Sequence, residues 1–269
     1  MSRIIVSEEF LLWSQMCTLW AVSSYAIAPD PLPEDRENLN FSWQTWKKTL
    51  PVRIVGTALV SYWMTHSIVI CGWMTTIIAI HPWIRLRSPL KWTAEIEVLV
   101  LISNALFMLA FVRHFQLHSH AFVPSSLSTE HLCALSIVGA TFMFVIRGGT
   151  YVVRGCLRKT GTLPHIAAQN TVQAEKDQID VTEINRGRLI GNLERLILTI
   201  VVAAGSYAAL AFLVAAKGLV RSEGLQKRDF AEYFLVGSLS SVLVARCSGV
   251  LIRYVLLTLW PELLSLQMQ

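Results

Sequence analysis

The residues of this chain best placed to do chemistry are charged side chains set inside long apolar stretches. Glu194 and Arg195 open one such stretch, Arg246 and Arg253 punctuate the last, and Arg147 lies near the end of a third, beside Gly148 and Gly149. An unpaired charge in hydrocarbon costs at least ~2.5–3.5 kcal/mol on insertion scales, so each needs a partner, an interfacial position or a water-filled path. Counted outward from the polar segment 217–232, Glu194 and Arg253 fall at one depth, which predicts an ion pair. Such a pair is either a structural tie near the interface or part of a charge relay or ligand site. Arg246 stands near mid-span, level with about Ala203, where neither helix offers an acid. Arg147 and Arg246 could line an anion-friendly cavity; a seam between subunits or a reach to the headgroups would serve them equally well.

A second cluster is Arg113-His114-Phe115-Gln116-Leu117-His118-Ser119-His120. His114 and His118 share a face if the helix runs on past Val112, and His120 is near. Three imidazoles could hold zinc or sense protons, although the nearest acid is the more distant Glu130. The alternative is that these histidines simply cap the end of a span. The sequence contains no Gly-rich phosphate loop, no His-Glu-x-x-His and no Gly-x-Ser-x-Gly, so neither an enzyme nor a cofactor is expected. Cys17, Cys71, Cys133, Cys156 and Cys247 are scattered singly, with no metal or redox spacing, and read as reduced small hydrophobes.

The elements that must position these groups follow from composition. Of the 269 residues 54% are hydrophobic and only 15% charged, against roughly 25% charged in soluble domains. Mean hydropathy is +0.50. A single soluble core of this length could not bury so much apolar surface, so a lipid bilayer must take the excess. The net charge of +5 is then expected at headgroup level, and no nucleic-acid partner is implied. The fold class is all-α, a polytopic bundle of five to six spans. Five stretches qualify: Ile54–Ile80, Val98–Val112, Leu132–Val153, Leu189–Ala216 and Tyr233–Trp260. Phe10–Ala28 is the sixth, an uncleaved helix that spans the membrane or lies at its surface, since Glu8 and Glu9 and the following Pro29 argue against a signal peptide. Trp43, Trp46, Trp83, Trp92 and Trp260 fall at span ends, as an aromatic belt requires.

Four regions result: an N-terminal helix with a Pro- and acid-rich linker over 1–53, three spans over 54–153, a basic polar loop over 154–188, and a C-terminal hairpin over 189–269. Residues 154–188 are expected to face the cytoplasm and to include a short helix. With six spans and the N-terminus inside, Arg85, Arg87, Lys91 and the basic loop are cytoplasmic, while Lys47, Lys48, Arg53, Lys217, Arg221, Lys227 and Arg228 remain outside. The asymmetry is small.

Packing is the clearest signal in the C-terminal region. Gly237, Ser241, Ala245 and Gly249 recur at four-residue intervals, which places them on one face of the last helix. The preceding stretch carries Ala204 and Ala208, then Gly205 and Ala209. Two such helices joined by a short polar turn are expected to lie antiparallel with backbones close.

Around these residues runs IRGGTYVVRGCLRKTGTLP, then INRGRLIGNLERLILTIVVAAGSYAALAFLVAAKGLVR, then KRDFAEYFLVGSLSSVLVA. The combination of Gly187-Arg188-Leu189-Ile190-Gly191, Leu193-Glu194-Arg195, Ala215-Ala216-Lys217 and Ala231-Glu232-Tyr233 resembles uncharacterised bacterial integral membrane proteins. The hairpin is similar to that of the domain-of-unknown-function 3307 family. The resemblance covers about residues 147–249, with Arg246 standing where an aliphatic residue is expected. It implies a bacterial inner-membrane location and no activity. The sequence thus leads to a non-enzymatic, homo-oligomerising scaffold, sensor or effector, with a small ion channel or transporter lined by the intramembrane Arg and Glu residues as the alternative.

Overall fold

The computed structural model describes residues 7–26, 39–87, 92–114, 127–162, 181–220, 222, 226 and 228–265. Among them it is all-helical. The helices are α1 (Glu8–Ala21), continued by a π-helical turn over Val22–Ala26; α2 (Leu39–Thr65); α3 (Ile68–Arg87); α4 (Thr93–His114); α5 (Thr129–Met143), continued through a second π turn, Phe144–Gly148, into α6 (Gly149–Lys159); α7 (Val181–Ala203); α8 (Tyr207–Val220); α9 (Arg228–Leu259); and the short α10 (Pro261–Ser265). Four stretches are long and apolar enough to cross a membrane: Ile68–Arg85, Thr93–His114, Thr129–Lys159 and Ala231–Leu259.

Ser7 and Ser128 start α1 and α5 by accepting hydrogen bonds from the backbone of Phe10 and His131. α1 lies at the heart of the bundle. Leu11, Leu12, Met16 and Tyr25 are wholly buried, packed among residues of α3, α4, α5 and α9. The residues of Phe10–Ala28 that are described therefore form a core helix, not a surface one.

Two turns divide stretches that read as continuous. The first falls at His66, whose φ is +46°, inside Ile54–Ile80. His66 donates to the carbonyl of Tyr62, and the Thr65 and Ser67 hydroxyls accept from the Ser67 and Ile70 amides. α3 then folds back on α2, with the Cys71 thiol donating to the Ala58 carbonyl. The second turn falls at Gly205, with φ +78°, inside Leu189–Ala216. Ser206 donates to Val201 O and Gly205 to Val202 O, the paired bonds of a Schellman helix end, in which glycine takes the left-handed position. α8 returns along α7, and Lys217 Nζ reaches Glu194 Oε2 at 2.5 Å.

These turns alter the topology. α7 and α9 run parallel: Gly249 lies against Thr199 and Val202, and Arg253 against Ala203 and Gly205, so residue numbers rise together along both helices. The expected antiparallel partner of α9 is different in the structure because the second half of Leu189–Ala216 is spent on the return helix α8. α1 runs parallel to α5 and antiparallel to α4, as the contacts Trp13–Ala105, Tyr25–Glu97 and Thr18–Ser136 require. The beginning of α1 and the 159–181 connection therefore sit at opposite ends of the bundle, whereas the expected arrangement put both on one side. The extra turn at His66 supplies the odd crossing.

One end, which we call the basic end, receives Lys47 and Lys48 of α2, Arg85 and Arg87 of α3, Arg154, Arg158 and Lys159 of α6, Arg186 and Arg188 of α7, Lys217 of α8 and Arg228 of α9. At the other end the described basic residues are Arg113 of α4 and, beside the Gly205 turn, Arg253 of α9. The expectation of a linker without helix ends at Leu39, since α2 takes in residues up to 53 with Pro51 inside it. The short helix expected within 154–188 falls largely on 163–180, outside the described residues, beyond the last turn of α6 and the first of α7.

Candidate functional site

Glu97 sits in the second turn of α4, 1% exposed, and is the focus of a buried polar cluster. Arg85 of α3 donates to it twice, Nη2 to Oε1 at 2.6 Å and Nε to Oε2 at 2.9 Å. That parallel pair is the strongest geometry a carboxylate and a guanidinium can adopt. Tyr25 of the first π turn donates its hydroxyl to Oε1 at 2.7 Å, and His81 Nε2, one turn before Arg85, lies 3.3 Å from Oε2.

Aromatic rings close the cluster. Trp20 stacks on His81 with centroids 5.6 Å apart, and Tyr151 of α6 lies under the Arg85 guanidinium, 4.2 Å from ring centre to Cζ. Tyr151 reaches it because α6 approaches the start of α4 backbone to backbone. A Cβ on Gly155 would come within 2.6 Å of the Ala94 nitrogen. Lys159 and Glu95 pair at 2.5 Å on the outer side of the same contact. Glu95 and Glu97, two residues apart, point to nearly opposite sides of the helix, so one meets the exterior and the other the core. The first π turn, α3 and α4 are thus tied at one carboxylate, and α6 joins them through Arg85.

A second joint uses no acid. Arg195 of α7 is 4% exposed. Its Nε donates to the Val145 carbonyl at 3.2 Å, and its Nη2 donates to Thr150 Oγ1 at 2.6 Å and Asn192 Oδ1 at 2.5 Å. Val145 lies within the π turn, where the regular i→i−4 ladder is interrupted and a carbonyl is released sideways. Arg253 of α9 acts similarly at the end of α7. Its Nη1 stands 3.5 Å from Ala203 O and packs against Gly205, where a Cβ would come within 1.9 Å of it.

The expected Glu194–Arg253 pair is therefore replaced by two others, Glu194–Lys217 and Arg253 on the end of α7. The depth count assumed an unbroken helix up to 216, and the Gly205 turn makes Lys217 the residue level with Glu194. Arg147 and Arg246 are exposed on the flanks of their helices, and Arg246 has no ion-pair partner among the described residues. The small residues of α9 divide their contacts between two helices. Gly237 faces Leu157 of α6, and Gly249 packs so closely on α7 that a Cβ would lie 2.8 Å from Thr199 O. Ser241 and Ala245 between them are buried. Ala204 lies in the turn and Ala208 on α8, both exposed, so neither faces α9. His114 ends α4 in an exposed position; His118 and His120 fall outside the described residues. Among the described residues no group of three or more His, Cys, Asp or Glu side chains gathers to hold a metal.

Compared with protein-family models, curated proteins and solved structures, the chain matches none of them. The likeness drawn from the C-terminal motifs rests on those residues alone.

Tyr25, His81, Arg85 and Glu97 are not singled out by sequence reasoning. Two signals were available: His81 and Arg85 one helical turn apart at the close of an apolar run, and a second acid two residues after Glu95.

Proposed function

We propose that the chain is a non-enzymatic, multi-pass membrane protein, an oligomerising scaffold, sensor or effector that works through helix packing and its basic face. The observation that carries this reading is the use made of its internal charges. Glu97 with Arg85, Arg195 with Val145 O, Arg253 with Ala203 O, and Glu194 with Lys217 each fasten one helix to another. None of them shares a lining with Arg147 or Arg246, which are exposed. An exposed arginine near the middle of α9 is accounted for by a seam between identical subunits, and a reach to headgroups is the other arrangement open to it.

In this reading α1, α2, α3, α4, the α5–α6 rod and α9 cross the membrane, six passes, and α7–α8 form a hairpin that enters and leaves on one face. The basic end faces the cytoplasm by the positive-inside rule, in the inner membrane of a bacterium as the sequence resemblance implies, with the start of α1 outside. Alkaline phosphatase fused after Ser265 should be active, and green fluorescent protein inserted after Thr162 should fluoresce; the reverse pattern would overturn the orientation. Single-particle images in nanodiscs should show several subunits with Arg246 at their contact, and a monomeric particle would remove the scaffold reading.

The second reading, a small ion channel or transporter with intramembrane Arg and Glu residues along a polar path, has one observation in its favour. α7 is broken at Gly205 with a guanidinium at its freed carbonyls, and broken helices at charged sites are a feature of transporters. Stable currents from the purified protein, altered by Arg246→Glu or Arg253→Glu, would move the assignment there.

A further inference from the structure

A cavity of about 250 Å³ lies between α1, α4, α5 and α9. Its walls include Trp20, Leu101, Asn104, Phe144 and Leu251. Cys247 and Leu251 are exposed where α9 borders it, so the cavity opens on the flank of the bundle and not at an end. Asn104 stands about halfway along α4, on the part of that helix farthest from water in a membrane. Yet its side chain is 2% exposed and its Oδ1 has no hydrogen-bond partner. The indole Nε1 of Trp20, which is 3% exposed, has none either. Asn104 and Trp20, which carry this acceptor and this donor, both line the same apolar chamber. Buried polar atoms are satisfied as a rule, and such exceptions call for a ligand or an ordered water.

We propose that this cavity binds a neutral amphiphile from the membrane, an alkyl chain ending in a hydroxyl group. The apolar walls take the chain. A hydroxyl both donates and accepts, so one such group could give its proton to Asn104 Oδ1 and accept from Trp20 Nε1. An ester or ketone carbonyl accepts only, and would serve Trp20 while leaving Oδ1 unmet. A charged head is disfavoured because no ionised side chain borders the cavity. The volume suits such an occupant, since a dry cavity of about 150 Å³ already admits benzene. This goes beyond the scaffold reading and depends only on placement in a membrane.

The test is photolabelling of the full chain in nanodiscs with decanol carrying a diazirine on its chain, followed by peptide mapping. Labelling on peptides bearing Leu101 and Leu251 should saturate. Unlabelled decanol should compete and decane should not. Asn104→Leu should weaken the saturable labelling about tenfold, the equivalent of one hydrogen bond. Ala140→Leu, which fills the cavity from α5, should abolish it while the melting temperature is kept. Labelling that never saturates, or that decane competes as well as decanol, would mean an ordinary lipid-facing groove or a bound water only, and would overturn the proposal. So would labelling unchanged in Ala140→Leu. The competition in the unmodified protein decides the matter even if either variant fails to fold.

Discussion

Three arginines are buried among the described residues, Arg53, Arg85 and Arg195, and the last two, in different halves of the molecule, are satisfied differently. Around Glu97 the guanidinium of Arg85 meets a carboxylate in parallel hydrogen bonds, with a phenol and an imidazole completing the oxygens. In the C-terminal half Arg195 and Arg253 meet main-chain carbonyls, one released by a π turn and one by the end of α7. The first solution brings two charges out of water together and needs both. The second uses an irregularity of the helix as the acceptor, with the partial negative charge of a helix end supporting Arg253. A helix defect thus serves where an acid would otherwise be required, and the price is a glycine or an interrupted ladder at that point.

The largest test of this contrast is Glu97→Leu, which strands Arg85 in the core. Loss of one partner of a buried pair costs about 3–5 kcal/mol, so the detergent-solubilised protein should unfold at much lower denaturant. Adding Arg85→Met should restore most of that loss. If Glu97→Leu melts like the native chain, the cluster does not hold the helices together. Arg195→Leu should cost less, about 1–3 kcal/mol, because Thr150 and Asn192 keep a hydrogen bond to each other at 3.0 Å while the Val145 carbonyl loses its donor. A cost equal to that of Glu97→Leu would erase the distinction between the two joints.

Gly205→Ala places a Cβ in the left-handed region, for about 1–2 kcal/mol, and displaces Arg253. Combined with Arg253→Leu it should be less damaging than the sum, as expected of residues in contact; strict additivity would separate them. Smallest is Lys217→Met at the Glu194 pair, where both side chains are 31% exposed. We expect ~0.2–1 kcal/mol, shrinking in high salt, read from melting curves at two ionic strengths.

How far the sequence announced this molecule depends on whether the determinant is local. The helical, apolar class is written in composition. The four-residue spacing through Gly249 reports a close backbone approach, which the contact with Thr199 and Val202 supplies, although the partner helix is parallel and not antiparallel. Gly205 is ambiguous on its face, since glycine serves both tight helix packing and helix termination. Ser206 and Tyr207 after it do not decide between them. The turn at His66 has neither glycine nor proline to mark it. Glu97 is illegible for another reason: it reads as an interfacial acid beside Glu95 until Arg85, Tyr25 and His81 arrive from other helices. The charge asymmetry is hidden in the same way, because Lys47, Lys48, Lys217 and Arg228 join the basic end only once both turns are in place.

Those two turns also bear on how the chain is made. In the orientation proposed here, the connections handed across the bilayer during synthesis are His66-Ser67 and residues 115–126, while the tip at Gly205 enters and returns to the face it came from. None of these contains Asp, Glu, Lys or Arg. The insertion machinery would move no formally charged loop through the hydrocarbon between the start of α2 and the end of α9. The strongly charged connections would stay on the ribosome's side from the moment they emerge.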